Sequence, residues 1–258
     1  PQNMLIGIKS DIDYASFLLH LMPISIIGLV FIIFIIKWLY PHEFSKSKEI
    51  TSDNISKTYE LKNMKFSLPI FFVVILLFFI GKLIGLSIPL IALVGASLIL
   101  LSGKSRPSEI IKSIDWVLLL FFASLFIVVY SIDNVGLLNH LKDFNLISND
   151  IRGIGLIHTS ALILSQLISN VPYTIAMLPL IKENCGDIVW LSLASSSTLA
   201  GNATIIGAMV NLIVLEIARK QNIEIRFMEF FKAGIITCIF TFIISIVVLY
   251  LQLKTQLL

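Results

Sequence analysis

Residues 165–216 read SQLISNVPYTIAMLPLIKENCGDIVWLSLASSSTLAGNATIIGAMVNLIVLE. Two clusters of small and polar residues, Ser169-Asn170-Val171-Pro172 and Ala200-Gly201-Asn202-Ala203-Thr204, interrupt sequence otherwise apolar enough for a bilayer. Lipid offers no partner for a backbone N–H or C=O, so a non-helical break at membrane depth persists only where protein or a water-filled cavity surrounds it. The two asparagines stand 32 positions apart (202 − 170), and paired breaks of this kind point to a solute site between half-helices. Asparagine is a favoured N-cap and proline suits the first turn of a helix. One helix is therefore predicted to start at Asn170. A second is predicted to start within Gly201–Thr204, with glycine permitting the unwinding and Asn202 or Thr204 as cap.

Two helix N-termini meeting at one place carry positive partial charge and free N–H groups, which suit an anion. The carbonyl ends of the preceding half-helices suit a small cation such as Na+, nearest Asn170, Ala200 and Asn202. An anion and a cation in one uncharged site is the chemistry of ion-coupled symport. The plainer alternative is that these small residues only let helices pack closely or kink. Two breaks, each with Asn beside small residues, weigh against it.

The flanking sequence is as apolar as the stretch itself. Of 258 residues, 57% are hydrophobic and 14% charged, with a mean hydropathy of +0.95; a soluble domain carries about 25% charged residues. A helix crosses the ~30 Å bilayer core in roughly 20 residues. On that scale the chain is an all-α polytopic membrane protein. It begins with the tail of a helix at 1–10 and a span within 11–40, whose uncharged run is Tyr14–Ile36. A polar linker follows at 41–66, then spans at 67–81, 88–102 and 115–138. After these come a hairpin at 153–182 broken at its tip, a broken helix at 187–218, and a last span at 233–253.

Lys and Arg cluster in the linker 41–66, in Lys104–Lys112 and in Arg219–Lys232. Basic loops face the cytoplasm, so these three belong on one side and report orientation rather than nucleic-acid binding. Only one net crossing then fits between 139 and 219, although two apolar runs lie there. The conflict resolves if 153–182 is re-entrant, entering and leaving on the outer side with Asn170 at its tip. The linker 41–66 is then cytoplasmic and the C-terminus outside, in a multi-pass protein of the cytoplasmic membrane.

Several classes are set aside. Two cysteines, Cys185 and Cys238, give no disulfide framework, and four scattered histidines give no metal site. No clustered acid, base and nucleophile suggests an enzyme. No charge ring or carbonyl filter motif suggests a channel. The run Ser195-Ser196-Ser197-Thr198 faces the second break in sequence, although hydroxyls in a helix commonly bond back to their own backbone. His158 could titrate, and a packing role is the simpler reading. Asp115, Asp133, Glu183, Asp187 and Glu216 all fall near expected interfaces, so no mid-membrane carboxylate relay is visible.

Ser169-Asn170-Val171-Pro172…Pro179-Leu180 and Gly201-Asn202-Ala203-Thr204-Ile205-Ile206-Gly207…Asn211 resemble the motifs of the ion-transporter superfamily. That superfamily groups citrate–metal transporters, arsenite permeases, D-type sodium–proton antiporters and divalent-anion/sodium symporters. The likeness covers nearly the whole chain. It implies an inverted-repeat transporter fold in which each repeat carries a re-entrant helical hairpin and a discontinuous transmembrane helix. The first-repeat broken helix of such proteins commonly reads Gly-Asn-Pro-Gln-Asn, and this chain opens Pro1-Gln2-Asn3. Asn3-Met4-Leu5-Ile6 also lines up with Asn211-Leu212-Ile213-Val214. The resemblance thus implies the tail of repeat one and all of repeat two (67–258), with the N-terminal half as a missing partner.

It further implies that Ser169, Asn170, Gly201, Asn202, Thr204 and Asn3 contribute to substrate and ion sites. One position departs from the dicarboxylate branch, which has Thr where this chain has Val171; Thr174, one turn on, is the available hydroxyl. The expected function is secondary active transport of a small inorganic or carboxylate anion, with Na+ or H+ as coupling ion and no other cofactor. A homodimer is one assembly open to it, within the lipid bilayer and without nucleic acid. The alternatives are a non-transporting membrane remnant or partner subunit, and an arsenite-type permease.

Overall fold

A computed structural model describes residues 2–42, 67–102, 107–112, 114, 116–136, 147–181, 185–221 and 223–255, and every regular element among them is helical. In chain order these are α1 (Gln2–Ser10), α2 (Tyr14–Leu39), α3 (Ser67–Ile80), α4 (Ile88–Ser102), α5 (Pro107–Lys112) and α6 (Trp116–Asn134), followed by α7 (Ile151–Ile168), α8 (Asn170–Met177), α9 (Asp187–Ala200), α10 (Met209–Lys220) and α11 (Phe227–Lys254). Short 3₁₀ turns occupy Lys82–Ile84 and Leu178–Leu180. Beyond His42, the linker 41–66 lies outside the described residues. So do Lys104, Arg106, Asp115, loop residues 139–146 and Lys182, at the end of the expected hairpin.

Among the described residues three helices are long and apolar enough to cross a membrane: α2, α7 and α11, with mean hydropathies of 2.7, 1.4 and 2.6. The apolar helices α3 and α4 are shorter. The 14 residues of α3 rise about 21 Å at ~1.5 Å each, less than the ~30 Å core. The chain is an all-α polytopic membrane protein.

Two helices begin earlier than their apolar runs suggest, and capping explains both. Asp150 precedes α7 and its carboxylate accepts the Gly153 N–H at 2.8 Å, satisfying a donor that the first turn cannot. The helix therefore starts at Ile151 rather than 153. The hydroxyl of Ser148 also donates to Asp150. That bond first, and the Gly153 N–H second, hold the Asp150 carboxyl below its ordinary pKa. At α11, Glu229 Oε2 accepts the Arg226 N–H at 3.1 Å. This closes a capping box, so the helix starts at Phe227 rather than 233.

The chain divides into two compact units. The larger comprises Pro1–Ile12, Ser16–Lys46 and Ser124–Leu258, and its axis is α9, buried without interruption from Ile188 to Ser197. A helix buried on every side needs neighbours all round it, and α1, α7, α8 and α11 all pack on it. Ile6, Ile154, Ile157, Ala161, Tyr173, Leu193, Ala194 and Leu249 share that core. Three of the hydroxyls buried with α9 turn back on their own helix, while that of Ser192 has no partner among the described residues. Ser195, Ser196 and Ser197 donate to the carbonyls of Ser192, Leu193 and Ala194 at 3.2–3.4 Å, and Thr198 donates to Ala194 O at 2.8 Å.

The smaller unit comprises Asp13–Ala15 and Ser47–Ala123. Its α3 and α4 are joined through a turn in which Leu86 N donates to Gly81 O at 2.8 Å and Gly85 takes φ 71°. Gly95 lies so close to Val74 that a Cβ would not fit. Tyr14 meets Phe79 edge-on at 5.0 Å.

Candidate functional site

Proline fixes the first break. In a continuous helix the Pro172 ring would collide with the carbonyl of Ile168 and could not donate to it, and α7 stops at Ile168. Ser169 turns the chain with φ 70°, ψ 161°, a conformation rare outside glycine, and α8 restarts at Asn170. The two arms are pinned together by Tyr173, fully buried. Its hydroxyl donates to Ile157 O at 3.2 Å and lies 2.9 Å from Ser160 Oγ. Asn170 is thus the first helical residue and Ser169 the N-cap, without a side-chain capping bond. The Asn170 N–H leaves its own helix and donates to Gly207 O at 3.1 Å.

The second break is longer than the sequence suggests. After α9 ends at Ala200, residues 201–208 are non-helical and α10 starts only at Met209, with Ala208 as N-cap. Asn202 and Thr204 therefore do not cap it. Thr204 is engaged elsewhere: its hydroxyl accepts the Gly207 N–H at 3.2 Å and donates to Gln166 Oε1 at 2.7 Å. Asn211, in the first turn of α10, reaches back and donates to Gly201 O at 2.8 Å and Thr204 O at 3.0 Å. These side-chain bonds satisfy carbonyls that a helix would otherwise occupy. Gly201 has φ −59°, ordinary for any residue. Its need is for space, since a Cβ there would stand 2.8 Å from that of Ala208.

Gln166, which sequence reasoning passed over, joins the two breaks. From the last turn of α7 it donates from Nε2 to Ala200 O at 2.9 Å, while its Oε1 accepts from Thr204. The signal for it was the one carboxamide in the arm 151–168, one turn before the hairpin tip.

Ser169, Asn170, Gly201 and Thr204 are thus brought together. A Cβ on Gly201 would lie 3.5 Å from Asn170 Nδ2, and Ser169 Oγ is 3.5 Å from Asn170 Oδ1. Asn202 is partly exposed, and its carboxamide has no hydrogen-bond partner among the described residues. Thr174 is buried and its hydroxyl donates to Asn170 O at 2.9 Å, so it is committed to its own helix. Asn3 stands apart on α1, where its Oδ1 lies 3.3 Å from Thr198 Oγ1; Gln2 Nε2 donates to the same hydroxyl at 3.4 Å. Its sequence counterpart Asn211 binds linker carbonyls instead. A cavity of about 270 Å³ borders Asn3, Ser195 and Thr198. A second of about 750 Å³ lies between Lys9–Asp11, Tyr130, Asp187 and Trp190. Neither is lined by Ser169, Asn170, Asn202 or Thr204.

No ionisable side chain belongs to the cluster, so its electrostatics come from backbone ends. At α10 the N–H groups of Ala208, Met209 and Val210 have no partner among the described residues. At α8 Ser169 and Val171 offer one each, because Asn170 donates to Gly207 and Pro172 has none. The positive end is therefore chiefly that of α10. Ala200 O already accepts from Gln166 Nε2 and from Ala203 N at 3.1 Å, so a cation on that carbonyl has to displace one of them. Among the described residues no three His, Cys, Asp or Glu side chains group as metal ligands. His158 packs between α7 and α11. Its Nδ1 donates to Ile154 O at 2.8 Å, which leaves Nε2 to accept from Ser245 Oγ at 2.8 Å, with the Phe242 ring edge-on at 5.2 Å.

The chain is similar to a 46 kDa membrane protein of Mycobacterium leprae, 28% identical over 268 residues that cover 98% of this chain and 62% of that protein. An uncharacterized transporter of Mycobacterium tuberculosis is 28% identical over 271 residues, again 98% of this chain and 62% of that one. The putative transporter arsB of Dictyostelium discoideum is 30% identical over 216 residues, 81% of this chain and 37% of that protein. The chain thus spans less than two thirds of the length of these relatives. No solved structure matches it. Residues 1–195 match the family described as citrate transporter, and with three quarters of its length inside that match, the chain belongs to the citrate transporter family.

Proposed function

We propose that the protein carries out secondary active transport of a small anion across the cytoplasmic membrane, coupled to Na+ or H+ and working by alternating access. The observation that carries this reading is that both backbone breaks meet in one hydrogen-bonded cluster with no formal charge. Unpaired α10 N–H groups and the amides of Asn170 and Asn202 are there to meet an anion. The reading takes the 153–182 hairpin as re-entrant, the linker 41–66 as cytoplasmic and the C-terminus as outside. A homodimer is the assembly it allows, and a second repeat completes the cavity. The family description favours a carboxylate. With Val171 at the hairpin tip and the Thr174 hydroxyl spent on Asn170 O, recognition falls to the carboxamides and backbone donors rather than to a threonine.

Uptake of labelled citrate by the full-length protein in proteoliposomes, with Na+ and pH gradients imposed separately, tests this. Uptake driven by one gradient and lost in both Asn170→Ala and Asn202→Ala, with the variants still folded, supports it. Uptake unchanged in both variants rejects it.

A further inference from the structure

We propose that Gln166 is the positioning residue that latches the hairpin to the non-helical linker 201–208, so that the two breaks move as one body. The inference rests on the transport reading for its consequence but not for its geometry. Three hydrogen bonds join the hairpin to the linker region among the described residues. One is backbone to backbone, Asn170 N to Gly207 O at 3.1 Å. The other two both run through Gln166: Nε2 to Ala200 O at 2.9 Å and Thr204 Oγ1 to Oε1 at 2.7 Å.

The polarity of this chain admits one arrangement. Ala200 O can only accept, so the nitrogen of the carboxamide must face it. The Thr204 hydroxyl already accepts from Gly207 N at 3.2 Å, so its own hydrogen goes to Oε1. The position therefore requires a donor and an acceptor on one planar group, at the reach of a four-atom stem. The linker also closes on the side chain, since a Cβ on Gly207 would come 2.6 Å from Oε1. Gln166 thus clasps the last carbonyl of α9, where the linker begins, and Thr204 in the linker's middle.

The latch has a chemical signature that packing alone lacks. A protonated Glu carboxyl presents O–H and C=O in place of N–H and C=O and can make both bonds. A Met side chain fills the same length and makes neither. The charged groups and the histidine on the packed elements stand away from the cluster: Arg152 and His158 on α7, the latter two turns back, Asp187 at the start of α9, Glu216, Arg219 and Lys220 late in α10, and Glu229 and Lys232 in the first turns and Lys254 in the last turn of α11.

Hydrogen–deuterium exchange of peptides covering 201–208, in the full-length protein at about pH 4, where a glutamate of ordinary pKa is more than half protonated, tests the latch without reference to transport. The expected result is exchange at least tenfold faster than wild type (~10×, an opening free-energy change near 1.4 kcal/mol) in Gln166→Met and wild-type exchange in Gln166→Glu. Wild-type exchange in Gln166→Met, or equally fast exchange in both variants, overturns the proposal. Na+-driven citrate uptake on the same samples gives the consequence: Gln166→Met is expected to raise the apparent KM for Na+ severalfold, with recovery in Gln166→Glu at about pH 4, where the carboxyl is chiefly protonated. Loss of the latch by exchange with no change in KM overturns the positioning role. Exchange behaving as expected in a protein that takes up nothing under any gradient leaves the latch standing and rejects the transport reading instead.

Discussion

Gly234 sits near the start of α11 and supplies the surface on which the second break rests. A Cβ added there would overlap the carbonyl oxygen of Asn202 and stand 3.1 Å from that of Ala203. Both are backbone atoms, so no side chain can swing aside; the linker or α11 has to shift. Overpacking of this kind costs about 1–3 kcal/mol, while Gly→Ala in a helix interior returns up to about 1 kcal/mol of propensity. Gly234→Ala is therefore expected to destabilise the protein by about 0–2 kcal/mol. Gly28→Ala is the matched control. There a Cβ meets only Thr241 Cγ2 at 3.5 Å, an ordinary contact, so the propensity gain of about 0.5–1 kcal/mol stands alone. Thermal unfolding of the detergent-solubilised full-length protein, monitored for both variants beside wild type, reads the difference. Uptake adds the functional consequence, since displacing a site by about 1 Å can cost roughly a hundredfold in rate. A Gly234→Ala protein as stable as Gly28→Ala, with wild-type uptake, refutes the contact between α11 and the linker.

Other expectations follow from single bonds. Tyr173→Phe removes the hydroxyl that ties the hairpin arms and leaves Ile157 O and Ser160 Oγ without it; a loss of about 1–3 kcal/mol is expected, read by thermal unfolding, and an unchanged midpoint contradicts it. Asn211→Leu strips the side-chain donor from Gly201 O and Thr204 O and should accelerate hydrogen exchange across 201–208 while leaving α7 unaffected. Asp150 has its carboxyl held low by Ser148 and Gly153. Its cap is therefore fully present above the ordinary carboxylate range near pH 4 and is lost as pH falls through the lowered value. Limited proteolysis ahead of Ile151 should increase on acidification below about pH 4 in wild type, and Asp150→Ala should show that cleavage already at pH 7.

The features legible in the sequence are those set by strong local chemistry. Pro172 stops α7 at Ile168 because no neighbour can relieve its clash, and the uncharged runs announce helices because nothing else suits lipid. Caps shift helix starts by a few residues where a carboxylate stands just inside or outside the first turn, as at Asp150 and Glu229. The second break escaped in its length. Gly201 keeps a helical φ, and the polar groups of the open stretch find their partners in Asn211, beyond it, and in Gln166, on a helix more than thirty positions earlier. Thr204 looked like a cap because threonine often is one; its hydroxyl is instead drawn to a partner on the hairpin. Asn3 and Asn211 look alike in sequence yet bind different groups, one a hydroxyl on α9 and the other linker carbonyls. His158 read as a lone histidine; the Ile154 carbonyl fixes its tautomer, and its second partner, Ser245, lies 87 positions away.

Shared occupancy of the two breaks by one ligand tests the account most directly. In full-length protein with Cys185 and Cys238 replaced by Ala, single cysteines introduced by Ser169→Cys and Asn202→Cys are labelled with a small thiol reagent while citrate is titrated in the presence of Na+. The account predicts that citrate slows labelling at both positions with the same midpoint concentration. Protection at one position alone, at different midpoints, or at neither would contradict a single pocket built from the hairpin tip and the broken helix.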